Sequence, residues 1–375
     1  MRSVFVPRVV DVANLNPQVN NVREILARWD VPGWRVRTLA YGEPDRRVAG
    51  NPQVDITRLW RWRFWPWHHW LCYFKPCDLV FYPGVHWSDF AGLRWRRRFG
   101  MRAPVVVTLE GLLGDAERER YYSRQAGHPV FCQPVAAKQL AAVDALNQAA
   151  DHLIAISPFL ERMGKGRFGD KLLMLPLGIN LAHYHAEGRI ANRRLKIVSA
   201  GGVRAHKRPQ VLLELAARHP HCDFVWYGEG ELRAPLQQQA AQRGLGNVSF
   251  PGALAPPQLG DALRAADIFV MPSYSEGVPK VTQEAAACGL AQVVYGYYEP
   301  PSVIDGVNGF ITWNDEQWLA KVAELIDDHG LVSRFGQAGA AMAHDWDWNR
   351  VAAQWREALV KIADGGKHQP GRSDN

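Results

Sequence analysis

Ser273-Tyr-Ser-Glu-Gly-Val-Pro-Lys-Val-Thr-Gln-Glu-Ala-Ala-Ala-Cys-Gly289 lies between two short apolar runs, Ile268-Phe-Val-Met271 and Gln292-Val-Val-Tyr295. Such unbroken runs are expected of parallel strands buried on both faces. Pro272 to Gly277 reads as a polar turn after the first strand. A helix then begins: Pro279 suits its first turn, Val281 to Cys288 are small or good helix formers, and Gly289 is placed to end it. The whole is a compact β-α-β unit whose helix N-terminus faces the carboxyl edge of the sheet.

Ligands of open α/β sheets bind at that edge, and a helix N-terminus there suits a diphosphate. Glu276 sits in the turn, beside whatever the phosphates carry. Glu284 lies on the helix, where a carboxylate can accept hydrogen bonds from a pair of hydroxyls such as those of a ribose. Two glutamates at this spacing are common by chance, and the plain alternative is two solvated side chains of an α/β domain. Their placement on turn and helix between two strands, with Ser-Glu-Gly before and Ala-Cys-Gly after, favours the site.

Ser275-Glu-Gly-Val-Pro279 through Glu284-Ala-Ala-Ala-Cys-Gly289 resembles the Glu-x7-Glu signature of the retaining nucleotide-sugar glycosyltransferases of family 4. The resemblance implies the α/β GT-B fold: two Rossmann-like domains facing across a cleft, the C-terminal one holding the donor nucleotide, with a terminal helix crossing back to the N-terminal domain. It runs most clearly from about residue 150 to 355. The expected division is an acceptor-binding domain over 1–180, a donor-binding domain over 181–345, a crossover helix over 346–364 and a disordered tail over 365–375.

Composition agrees with a globular chain of two ordinary domains: 375 residues, 47% apolar and 22% charged. No apolar run approaches the ~20 residues that span a bilayer. Arg2, Pro7 and Arg8 break the start, so it does not read as a signal peptide. Five cysteines at positions matching no common metal site read as reduced thiols, and a cytoplasmic location is expected.

The net charge of +7 is modest, but its distribution is uneven. Arg58-Leu-Trp-Arg-Trp-Arg-Phe-Trp-Pro-Trp-His-His-Trp-Leu-Cys-Tyr-Phe74 interleaves basic and indole side chains, and Arg94 to Arg102 is a second basic cluster. Indoles at headgroup depth and arginines on lipid phosphate suit a peripheral contact with an anionic membrane, on the inner face of the cytoplasmic membrane. A helix with one aromatic face in the core is the alternative, against which Pro66 argues. Stacking of single-stranded nucleic acid is a third reading, but no nucleic-acid partner is expected.

Along the rest of the chain, Ser3 to Val12 reads as the first strand and Asn21 to Trp29 as a helix. Trp34 to Ala40 is the second strand, and the next 17 or so residues read as loop. The first turn, Asn14 to Asn20, departs from the family's glycine-rich pattern. Asp78 to Tyr82 and Pro104 to Leu109 are buried strands. Glu110 follows the second, where the family usually carries a histidine touching the donor sugar; a carboxylate there binds a sugar hydroxyl or is a solvated turn residue. Ser157-Pro158 after the strand Asp151 to Ile156 reads as a helix cap with proline at the first helical position. Leu181 to Arg194 reads as the hinge.

The second domain opens with Leu195-Lys-Ile-Val-Ser-Ala-Gly-Gly-Val-Arg-Ala-His-Lys-Arg-Pro209. A strand running into Gly201 and Gly202 and then a helix is a phosphate-approach geometry. The resemblance puts an arginine and a lysine of this stretch on the diphosphate. Lys207 matches the lysine, whereas Gly202 stands in the arginine's place and Arg204 is the nearest substitute. Arg204 and Arg208 read equally as phosphate contacts or as surface bases. Gly228 and Gly230 follow the next strand and are expected to give room for the nucleotide.

A sugar leaves a nucleoside diphosphate as negative charge develops on the phosphate, so Lys207, Arg204 and the helix N-terminus at Gly277, Val278, Pro279 and Lys280 are expected to lower that barrier. No metal is needed in that scheme, and neither metal nor cofactor is expected beyond the UDP- or GDP-linked sugar as donor. Glu276 would hold the sugar hydroxyls and Glu284 the ribose. Retention by front-side attack is what the family implies. The acceptor expected is a saccharide or a lipid-linked saccharide, in cell-envelope or exported polysaccharide synthesis. A nucleotide-sugar epimerase, a catalytically silent homologue and a lectin-like or nucleic-acid-binding role remain as alternatives.

Overall fold

A computed structural model describes residues 1–13, 17–59, 74–84, 87–109, 137–189, 192–274 and 276–365. Glu110 and most of the Arg58 to Phe74 segment lie outside the described residues.

The chain divides into two compact units. The first contains a seven-stranded sheet of β1 (Arg2–Val9), β2 (Trp34–Ala40), β3 (Val54–Arg58), β4 (Leu79–Tyr82), β5 (Val105–Leu109), β6 (His152–Ala155) and β7 (Leu172–Met174), in the order β3-β2-β1-β4-β5-β6-β7. Each pairing is parallel. The central strands are continuous apolar runs because both faces are covered: every residue of β4 and β5 is buried. Helices α1 (Pro17–Ala27), α2 (Arg46–Ala49), α3 (Trp87–Arg98), α4 (Ala137–Ala149) and α5 (Pro158–Phe168) make the connections. Ser157 caps α5 as its sequence predicts, accepting the Leu160 N–H at 3.2 Å.

Two expectations change here. The stretch after β2 is not loop but α2 and β3, an edge strand in which only Val54 is buried. One-sided burial leaves a polar alternation, Val-Asp-Ile-Thr-Arg, that is easily read as loop. Arg58 therefore ends a strand rather than opening the aromatic segment. Helix α1 starts at Pro17, earlier than Asn21, with the proline at a position that needs no N–H.

The second unit, residues 179–347, holds β8 (Lys196–Ala200), β9 (Asp223–Tyr227), β10 (Val248–Gly252), β11 (Ile268–Met271), β12 (Ala291–Tyr295) and β13 (Gly309–Thr312), all parallel, in the order β10-β9-β8-β11-β12-β13. Its helices are α6 (Val211–Arg218), α7 (Arg233–Gln242), α8 (Pro256–Arg264), α9 (Lys280–Ala287), α10 (Asp315–Asp327) and α11 (His329–Met342). The order reverses between β8 and β11, so the loops leaving those two strands flank the topological switch point where such sheets take ligands.

The expected hinge at Leu181 to Arg194 is largely a strap on this unit. Tyr184 is buried, and Arg189 donates to the carbonyls of Cys288 and Ala266 at 3.2 and 2.8 Å and pairs with Asp267 at 3.7 Å. Arg189 thereby ties the strap to the chain just past the end of α9 and to the residues just before β11.

The final helix, α12 (Trp348–Ala363), belongs to the first unit. Trp348, Val351, Trp355, Leu359 and Ile362 form its buried stripe. Trp355 lies 5.8 Å from the Phe81 ring of β4 and donates its indole N–H to the Pro176 carbonyl at 2.8 Å. Burying one such side chain contributes about 2–3 kcal/mol. Two parallel-sheet Rossmann-like units with a terminal helix returning to the first constitute the GT-B architecture.

Candidate functional site

After β8 the backbone turns at Gly201, whose φ of +135° favours glycine. The helix expected after the glycines follows at a distance. A single 3-10 turn over Ala205–Lys207 intervenes, Arg208 takes a left-handed conformation, and α6 starts only at Val211. This detour folds the Lys207 side chain back over the strand end, so that a Cβ on Gly201 would stand 4.0 Å from Lys207 Nζ.

The turn after β11 meets it. Lys207 Nζ lies 2.5 Å from Glu276 Oε1, with the two side chains 19% and 11% exposed. Ser273 Oγ donates to the His206 carbonyl at 3.3 Å, a second tie between the turns. Beside them α9 begins after Pro279 with no side chain capping its first N–H groups, while Gly277 and Val278 remain partly open. An ammonium, a carboxylate and uncapped helix donors thus share one edge of the sheet, a set suited to an anion bearing hydroxyl groups.

Glu284 lies one turn into α9. Dehydration pushes its carboxyl above the usual range, against the charge of Lys280 and the facing hydroxyl of Tyr184. Burial likewise raises the Tyr184 phenol, which keeps that hydroxyl as a donor toward Glu284. Tyr184 comes from the strap, a contact that spacing in the sequence gives no hint of.

The expectation for Gly228 and Gly230 needs correction. A Cβ on Gly228 would meet the Gly201 carbonyl oxygen at 1.9 Å, and one on Gly230 the Val203 oxygen at 2.3 Å. The turn after β9 lies directly on the turn after β8, joined by Val203 N–H to Glu229 O at 2.9 Å and the Trp226 indole to Gly201 O at 2.9 Å. The missing side chains make room for backbone rather than for a ligand.

Arg204 is exposed, folded over Gly202 (3.4 Å from a Cβ there) and 4.0 Å from Glu231. Arg208 is neither a surface base nor turned toward Lys207. Its guanidinium lies 4.1 Å over the Tyr274 ring and makes a two-pronged contact with Asp315, at 2.9 Å to Oδ1 and 2.5 Å to Oδ2. The Tyr274 and Tyr295 hydroxyls reach the same Oδ1 at 2.5 and 2.6 Å. Sequence reading missed this cluster because its members come from four separate elements. Among the described residues no three His, Cys, Asp or Glu side chains are placed to hold a metal, and no helix is long and apolar enough to cross a membrane.

Comparison with known proteins bears on this edge. Residues 182–342 match the family model described as "Glycosyl transferases group 1". The D-inositol 3-phosphate glycosyltransferase of Segniliparus rotundus is 30% identical over 215 residues, covering 50% of this chain and 47% of the relative. That of Streptomyces scabiei is 34% identical over 219 residues, covering 51% and 49%. The chain thus spans about half the length of the curated relatives it matches. Among solved structures, sucrose-phosphate synthase from Thermosynechococcus elongatus superposes with a TM-score of 0.76 at 16% identity, covering 98% of this chain and 100% of that one. Anabaena HepE, in complex with UDP and glucose, gives 0.70 at 18%, covering 96% and 100%. The fold is therefore GT-B across the chain, and residues 182–342, which carry the Lys207 and Glu276 turns and helix α9, are similar to the group 1 glycosyl transferases.

Proposed function

We propose that the protein is a retaining glycosyltransferase that moves a sugar from a nucleoside-diphosphate donor, UDP-linked in the first instance, to a saccharide or lipid-linked acceptor. The observation that carries this reading is the meeting of Lys207 and Glu276 at the switch point beside the uncapped start of α9. Lys207 Nζ and the N–H groups around Val278 to Lys280 would take the diphosphate, and neutralise the charge that grows on it as the glycosidic bond breaks. Glu276, released from Lys207 as phosphate replaces it, would accept hydroxyls of the donor sugar. Glu284 would accept the two ribose hydroxyls. The choice of uridine follows the HepE complex, whose fold this chain shares.

A peripheral membrane contact belongs to the same proposal. Helix α3 and the residues after it expose Trp95 (40%) and Phe99 (60%), stacked at 5.9 Å, among exposed Arg94, Arg98 and Arg102. Apolar rings ringed by guanidinium groups suit an anionic lipid surface, and a lipid-linked acceptor in envelope or exported polysaccharide synthesis would be met there.

The test is calorimetric titration with UDP, GDP and ADP, alongside Glu284→Ala. One nucleotide should bind, and the substitution should weaken it at least about tenfold, the scale of a lost charged hydrogen-bond acceptor. Binding of none, or equal binding by the variant, would overturn the proposal.

A further inference from the structure

One carboxylate gathers the loops that carry the proposed donor contacts. Asp315 opens α10 at the carboxyl edge of the second sheet. Its Oδ1 accepts from Arg208 Nη1 at 2.9 Å, from the Tyr274 hydroxyl at 2.5 Å and from the Tyr295 hydroxyl at 2.6 Å, while Oδ2 accepts from Arg208 Nη2 at 2.5 Å. Arg208 follows Lys207 directly, and Tyr274 stands two residues before Glu276. Tyr295 ends β12, the strand next to β11.

The arrangement is costly to make and therefore informative. Arg208 holds φ +56° and ψ +47°, a left-handed conformation that an ordinary side chain avoids. Its guanidinium is fixed twice, by the forked pair with Asp315 and by the Tyr274 ring 4.1 Å beneath it. A planar guanidinium matched to a carboxylate is a geometrically demanding contact. It acts beside the Lys207–Glu276 pair and the Ser273 bond to the His206 carbonyl, and it is the contact made by the left-handed residue itself.

We propose that Asp315 is a positioning residue for the donor site: through Arg208 and Tyr274 it locks the Lys207 turn to the Glu276 turn in the register that binds a nucleoside diphosphate. The inference rests on the donor-site reading of Lys207 and Glu276. Asp315 touches no donor atom in this scheme, and its effect passes through Lys207.

The experiment is a double-mutant cycle read by calorimetric titration with whichever of UDP, GDP and ADP binds the wild-type protein. Asp315→Asn keeps the shape but turns an amide donor toward Arg208. It should weaken nucleotide binding by about tenfold, and Lys207→Ala by about tenfold or more. In the Lys207→Ala background, Asp315→Asn should cost less than about twofold, because residues in one network do not add. Tyr274→Phe, a gentler cut of the same cluster, should give a smaller loss with the same non-additivity. Additive losses would show that Asp315 merely stabilises the fold, and unchanged affinity in Asp315→Asn would equally overturn the proposal. Lys207→Ala with wild-type affinity, or no nucleotide bound at all, would instead sink the donor-site reading and this inference with it.

Discussion

Lys207 and Glu276 are 69 residues apart in the chain and 2.5 Å apart in space, each at the end of a neighbouring parallel strand on either side of the sheet's switch point. Lys207 already owns a carboxylate partner, so on the proposed donor-site reading an entering diphosphate would exchange one anion for another rather than recruit a free side chain. Lys207→Ala is accordingly expected to lower sugar transfer by about a hundredfold or more, the scale of one lost charge-stabilising donor. Steady-state rates with a UDP-linked sugar check this.

On the proposed reading, Glu284 carries a trade between stability and binding. Its carboxyl is pushed up by burial, so the folded state holds the proton more tightly than the unfolded one. Such a group favours folding fully only below its unfolded value, and that contribution is lost as pH rises through the folded value. Glu284→Gln should therefore raise the melting temperature at pH 7 to 8, and the gain should vanish by about pH 4. The same variant should bind nucleotide more weakly. A lower melting temperature at neutral pH would contradict the sign.

Asp315 behaves oppositely. Burial would raise its carboxyl, but the bonds from Arg208, Tyr274 and Tyr295 outweigh that and hold it at about 2. Its contribution is present above the unfolded carboxyl value near 4 and disappears as pH falls toward 2. The melting difference between wild type and Asp315→Asn should persist to about pH 4 and close below it, as acid titration followed by circular dichroism would show.

Gly228 tests the backbone contact between the two turns. With the Gly201 oxygen 1.9 Å from where a Cβ would sit, Gly228→Ala must move the Gly201 turn. Nucleotide affinity is expected to fall by about tenfold or more, from a destabilisation of about 1–3 kcal/mol. Calorimetry and thermal melting on the same sample separate the two effects.

Trp355→Ala should cost about 3–5 kcal/mol, since it empties a space against Phe81 and removes the bond to Pro176. Chemical denaturation monitored by tryptophan fluorescence would register it as an early transition.

The sequence made some of this legible and hid the rest for identifiable reasons. The strand-turn-helix-strand stretch from Ile268 to Tyr295 is local, and its apolar runs, Pro279 and Gly289 each mean one thing. The stripe of Trp348, Val351, Trp355, Leu359 and Ile362 is equally local, one face of a helix read at its own period. Edge strand β3 was obscure because only Val54 of it is buried. The roles of Gly228, Arg208, Asp315 and Tyr184 depend on partners many residues away, and no spacing rule reports which distant backbone a glycine lets in or which carboxylate an arginine grips.

The return of α12 to the first unit has a consequence for the order of events on the ribosome. Residues 179–347 are interposed within the chain of the first unit, so β4 and α1 are made before them and the helix that covers β4 and α1 is made after them. At ordinary elongation rates Phe81 waits roughly 15–55 s for Trp355. The nascent first unit spends that interval with an uncovered apolar face, and the second unit completes its own sequence within it. A chain stalled before Trp348 would present a second unit with its whole sequence attached to a first unit without its terminal helix, and such a species is what a chaperone or protease would meet first.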